Sequence, residues 1–216
     1  MSEIRRRAAL RLIGGAPLGV GFGVGVLDLR AAGAHAATAV AATGKGKAYR
    51  PRFFTDHEWE TVRLLADLIL PRDERSGSAS DAGVPEFMDF LMADPEADAR
   101  SLEARQTAMR GGLAWIDAEC RHRFGRTLVA CTDEEGRKLL DDIAYWKGEE
   151  DGGEAPEDLQ VRLHHGPAFF ASFRDLTASG FWSSKTGVED LGYVGNTATV
   201  WEGPPLEVLR RLGLES

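Results

Sequence analysis

Cysteine is nearly absent from this 216-residue chain, which holds only Cys120 and Cys131. Two thiols cannot by themselves carry an iron–sulfur cluster, and no Cys-x-x-Cys-His is present to attach a haem. No Gly-x-Gly-x-x-Gly follows a strand-like run, so no dinucleotide site is encoded. A Gly-x-Ser-x-Gly elbow and a zinc-binding helix motif are likewise missing. Basic charge is short: 26 Lys and Arg face 34 Asp and Glu, for a net charge of −8 and a pI near 5.2. Five of the basic residues (Arg5, Arg6, Arg7, Arg11, Arg30) and two of the acidic ones (Glu3, Asp28) lie in residues 1–36, which leaves 21 against 32, or −11, for the rest. Nucleic acid is therefore an unsuitable partner, since binding phosphates needs a basic face. There is no repeat, no alternating strand pattern, and no apolar run of the ~20 residues that span a bilayer.

Where apolar residues do recur, they recur at helical spacing. Thr55 stands three residues before Glu58, the spacing of a capping box. Trp59, Val62, Leu65, Ala66 and Ile69 then form one stripe, and Pro71 stops the helix near Leu70. Residues 72–82 read as a polar loop, and Gly83-Val84-Pro85-Glu86 restarts a helix with proline in its first turn. Asp94-Pro95-Glu96 predicts a long helix to about Phe124, with Gly111-Gly112 as a point of close packing or a kink. Thr132 and Glu135 repeat the capping box before Leu139, Leu140, Ile143 and Trp146. Lys147 to Glu157 reads as an exposed loop, and a further helix runs from Leu159 to about Ser179, interrupted at Pro167. The expectation is an all-α protein: a single small helical domain of five or six helices over residues 51–216, with an irregular but ordered C-terminal segment from Gly180 to Pro205 and a short closing helix at Leu206 to Leu212. At 43% hydrophobic and 28% charged, the chain can bury a core of its own.

The N-terminus has the layout of an export signal. Arginines precede a Gly-rich, mildly apolar run, Leu12 to Leu27, and the small-residue pattern Ala34-His35-Ala36 follows. Arg6-Arg7-x-Ala9-Leu10-Arg11 is similar to the twin-arginine consensus, a pathway for folded cargo, although Arg5 and Ala9 depart from its usual residues. General secretion, an uncleaved anchor and an intracellular fate are the alternatives. Residues 1–36 are thus assigned as signal peptide and 37–50 as a flexible tether. In an exported chain, Cys120 and Cys131 are disulfide candidates, set against the plainer reading of two small buried apolar residues.

Candidate chemistry is fragmentary. Glu119-x-x-His122 is half of a helix-bundle di-iron motif with no second copy, and a solvated charge pair explains it. His164-His165 point to different sides of a helix and suit capping or core roles. Asp56, Glu58, Asp67 and Asp73 are explained by capping, helix dipole and solvation.

Three stretches in order, FFTDHEWETVRLLADLILPRDE, DAGVPEFMDF and FFASFRDLTASGFW with GYVGN, resemble the small subunit (subunit 3) of gluconate 2-dehydrogenase-type membrane-associated flavoprotein dehydrogenases, over roughly Pro51 to Pro205. What the resemblance implies is a non-catalytic subunit with no cofactor of its own. Its partner is a glucose-methanol-choline-type large subunit that holds FAD and oxidises a sugar, sugar acid or glycoside in the periplasm, often passing electrons to a multihaem cytochrome c. The small subunit carries the twin-arginine signal for both. Trp182, Tyr193 and Trp201, in the segment without periodicity, are the candidate interface anchors, with core cover as the competing reading. A stand-alone exported helical enzyme or metal-binding protein is the alternative function.

Overall fold

The computed structural model describes residues 26–43, 48–94, 96–144, 163, 165–192, 204 and 206–213. Among them run α1 (Val26–Thr43), α2 (Asp56–Ile69), α3 (Val84–Met92), α4 (Ala99–Phe124), a 3-10 turn (Leu128–Ala130), α5 (Asp133–Ala144), α6 (Gly166–Trp182), α7 (Lys185–Leu191) and α8 (Leu206–Leu212), with no strand among the described residues. The class is all-α, as its helical periodicity requires. The leader before Val26, the expected loop at 147–157, Tyr193 and Trp201 lie outside the described residues.

Both capping boxes form. The Thr55 hydroxyl accepts from the Glu58 amide at 3.3 Å while the Glu58 carboxylate accepts from the Thr55 amide at 2.8 Å. Thr132 and Glu135 do the same at the start of α5. α2 buries Val62, Leu65 and Ala66 of the predicted stripe together with Thr61, keeps Trp59 and Ile69 partly buried against the core, and ends one residue before Leu70. α3 has seven of its nine residues buried, so it is apolar on nearly every side and takes the central position. It packs against α1, α2, α4 and α6. Phe87, Met88, Leu91 and Met92 of α3 join Met109 and Ile116 of α4, Leu139 and Ile143 of α5, and Phe173 and Phe181 of α6 in one core. Each such fully buried side chain contributes about 1.5–3 kcal/mol relative to exposure.

α4 starts later than Asp94 predicts. Asp98, which accepts from the Ser101 amide at 3.0 Å, is the cap instead, and Asp94 turns back to the Glu96 amide. The glycine pair splits in role. A Cβ on Gly112 would lie 1.9 Å from the Phe169 ring, whereas one on Gly111 would meet nothing within 4 Å, so Gly112 is where α6 crosses closely.

Two expectations are corrected. Residues 37–43, assigned to a flexible tether, complete α1, which packs on α3 and α6. The segment is rich in alanine, the strongest helix former, and its small side chains permit a close approach that a polarity reading overlooks. Gly180 to Gly192, assigned to irregular chain, is helical: α6 continues to Trp182, and Ser184 caps α7 by accepting from the Gly187 amide at 3.0 Å.

Candidate functional site

Asp89, on the apolar helix α3, organises the stretch that leads into α2. It is fully buried, and its two oxygens accept from the amides of Arg52 (2.9 Å) and Phe53 (2.9 Å) and from the Tyr49 hydroxyl (2.8 Å), with a longer contact to the Phe54 amide at 3.4 Å. A buried carboxylate is tolerated only when donors replace its water, and here backbone supplies most of them. Two clefts are lined by residues of α2, one through His57, Glu58 and Thr61 and the other through Trp59 and Arg63.

The first cleft, of about 300 Å³, is lined by Thr55, His57, Glu58, Arg110, Asp117 and Arg121. Asp117 is 6% exposed and accepts from the Leu128 amide at 3.0 Å. Its other oxygen pairs with His57 Nε2, and Arg121 stands 3.8 Å away. An imidazole held by a carboxylate is two thirds of a nucleophilic triad, so the position of a hydroxyl decides what the pair can do. Thr61 donates to the His57 carbonyl at 2.9 Å and Thr55 donates to the Glu58 carboxylate at 3.0 Å. Both hydroxyls are thus engaged elsewhere, and His57–Asp117 ties α2 to α4 and the 3-10 turn. Arg110 closes the rim, its guanidinium 4.4 Å above the Phe53 ring and bonded to the Phe53 carbonyl at 3.0 Å.

The second cleft, of about 560 Å³, is bounded by Tyr49, Trp59, Arg63, Ser80, Asp81 and Glu86. The Tyr49 and Trp59 rings stack at 5.3 Å. Burial, together with the hydrogen bond to Asp89, holds the Tyr49 phenol well above its ordinary range, so it remains a donor. Burial likewise raises the Glu86 carboxyl, whose Oε2 is enclosed without a hydrogen-bond partner.

The residues singled out from the sequence fall as follows. Cys120 and Cys131 are free thiols in mutual contact, and burial, with Cys131 adjacent, pushes Cys120 up to about 12. Trp182 closes α6, packed against the core with its ring edge-on to the buried Phe181 at 5.0 Å. Arg6, Arg7, Tyr193, Trp201 and His164 are outside the described residues. Glu119 pairs with Arg123 at 2.5 Å, and Arg123 reaches Asp142 as well. His165 takes the cap position of α6. Asp67 accepts from the Ser80 amide and Asp73 from those of Arg75 and Ser76, so both serve the folded 72–82 loop. No three possible metal ligands converge among the described residues.

Sequence reasoning missed Asp89, Asp117, Tyr49 and Glu86. The available signal was an acid inside an apolar stripe, as in Phe87-Met88-Asp89-Phe90 and beside Ile116.

No curated protein and no solved structure matches the chain. The model of the family described as gluconate 2-dehydrogenase subunit 3 matches residues 56–203, from the first residue of α2 to beyond α7. That span contains the Thr132–Glu135 capping box, the Asp89 helix and the His57–Asp117 tie, and on it the chain belongs to the gluconate 2-dehydrogenase subunit 3 family.

Proposed function

We propose that this chain is the non-catalytic small subunit of a periplasmic FAD-dependent sugar, sugar-acid or glycoside dehydrogenase. It stabilises a glucose-methanol-choline-type large subunit, which binds the FAD, and carries that partner across the membrane by the twin-arginine pathway. The family resemblance, in which a multihaem cytochrome c often accepts the electrons, makes a cytochrome c the candidate onward acceptor. Family membership over residues 56–203 carries the subunit reading. The Arg6-Arg7 leader on a chain without a cofactor motif supports the export role, because a folded, flavin-loaded partner needs a pathway that accepts folded cargo. The engaged hydroxyls of Thr55 and Thr61 fit a subunit whose polar clefts hold structure and present surface.

Co-expression with a neighbouring FAD-dependent oxidoreductase gene that lacks its own signal, followed by purification through this chain, tests the reading. A flavin spectrum in the purified complex, and none in this subunit alone, is the expected result. Changing Arg6 and Arg7 together to Lys is expected to leave both proteins in the cytoplasm. Partner export that persists in that variant contradicts the carrier role.

A further inference from the structure

The export pattern Ala34-His35-Ala36 lies in the middle of α1, and α1 is docked. Ala32 and Ala36 are 0% and 5% exposed in the common core, and Leu29 packs against it. His35 bonds through Nε2 to the Tyr49 hydroxyl at 3.1 Å, and its ring lies over Phe90 at 5.0 Å. The cradle around Asp89 therefore extends, through Tyr49, into α1.

Two further features show that the body is shaped to this helix. Gly83, at the cap of α3, has φ +83°, and a Cβ there would lie 2.7 Å from Val40 Cγ2 and 3.4 Å from the Ala36 carbonyl. On α4, Arg105 is 3% exposed, and its guanidinium stands 3.9 Å from Asp28 of α1. Within the body it has the Leu91 carbonyl at 3.4 Å, and its Nε is enclosed without a partner. Removing α1 would strip Asp28 from a buried guanidinium, which is costly when the charge stays uncompensated. It would also uncover the α3 surface beneath Ala32 and Ala36.

We propose that α1 is a permanent element of the folded subunit, and that its docking shields the Ala36–Ala37 bond from the signal peptidase, so the exported chain keeps its leader. This rests on the reading of residues 1–36 as a twin-arginine leader. That pathway moves folded proteins, so α1 is in place before the peptidase is met. A peptidase takes its substrate in extended form, and cleavage at Ala36 requires α1 to leave α3 and unwind first.

The test is made on the purified full-length chain with purified signal peptidase in detergent micelles, read by intact mass. A peptide of residues 26–42 is the positive control, and Ala32→Glu, which places a charge against α3, is the undocked comparison. The peptide and the variant are expected to be cut after Ala36, and the wild-type chain at least about tenfold more slowly than either, a factor that a modest local-opening equilibrium imposes. Wild-type cleavage as fast as that of the peptide overturns the proposal. So does an uncut peptide, since nothing would then need shielding. Should Ala32→Glu fail to fold, hydrogen exchange on the wild-type chain decides: the amides of Leu29 to Val40 are expected to exchange as slowly as those of α3, and complete exchange within seconds overturns docking. The Arg6, Arg7 double lysine variant judges the leader reading separately, by localisation, without altering the peptidase result.

Discussion

Glu86 and Asp89 sit one turn apart on α3 and meet opposite fates. Asp89 is surrounded by donors and Glu86 has one oxygen enclosed without any. Burial raises the Glu86 carboxyl from an ordinary value near 4.5, and Asp89 adds to the rise while Arg63 opposes it. Between the ordinary and the raised value the folded chain binds more protons than the unfolded chain, so this group's contribution to stability falls as pH rises through that window. Glu86→Gln is therefore expected to melt higher than wild type at pH 7, with the difference shrinking as pH is lowered toward 4.5; thermal melts across that range measure it. A variant that melts lower at pH 7 and gains nothing with acid would assign the charged form a partner. Such groups escape a sequence reading because their partners are remote. His57 and Asp117 are 60 positions apart, and Tyr49 and Asp89 are 40. Periodicity records which face of a helix is apolar, and an acid on that face is the visible trace of a contact whose other half lies elsewhere in the chain.

Local rules, by contrast, placed most elements well. Thr55 with Glu58, Thr132 with Glu135, Pro71 and Gly83 mark boundaries through bonds made within a few residues, and the structure shows them. α1 and α7 were missed because neither carries an amphipathic stripe: alanines on α1 contribute through close approach, and seven-residue α7 depends on its Ser184 cap and on contact with α6. The glycine pair of α4 turns the same point into a measurement. Gly112→Ala is expected to cost about 1–3 kcal/mol or more, because the Phe169 ring must move. Gly111→Ala, facing open space in the same helix, is expected to stabilise by up to about 1 kcal/mol. Chemical denaturation of both variants separates packing from propensity; equal effects would remove the close crossing of α4 and α6. The end of α4 supports a second expectation. Cys120 and Cys131 touch across the 3-10 turn, and a disulfide there would fasten α4 to the start of α5. Chain entropy gives about 3 kcal/mol for closing a loop near 15 residues. On the export reading proposed above, exported protein is expected to weigh two hydrogens less than protein held in the cytoplasm and to melt higher, with Cys131→Ser abolishing both differences. Burial suppresses the thiolate, so a thiol–disulfide oxidoreductase rather than air is the expected oxidant.

At the scale of the whole molecule, the large subunit proposed above needs a docking face, and of the three anchor candidates Trp182 is the one among the described residues. It ends α6, beside the α7 turn, and it is half-buried: one part of its indole meets Phe181 and the core, and the rest reaches the surface. Interfaces concentrate their energy in such aromatic anchors, while half-buried aromatics also serve their own core. Trp182→Ala removes both contributions together, so on its own it separates nothing. Its loss of stability is expected to fall below the ~3–5 kcal/mol of a fully buried aromatic, with each kcal/mol lowering the melting temperature by roughly 2–4 °C for a chain of this size. Trp182→Phe is the discriminating variant. A phenyl ring preserves the contact with Phe181 and trims the indole, so the melting temperature is expected to stay close to wild type. Complex formation with the large subunit, measured by titration at a temperature where both variants are folded, is expected to weaken at least about tenfold, or ~1.4 kcal/mol, in Trp182→Phe. If Trp182→Phe assembles as tightly as wild type while Trp182→Ala loses only thermal stability, the indole covers this subunit's own core, and the partner rests on another face.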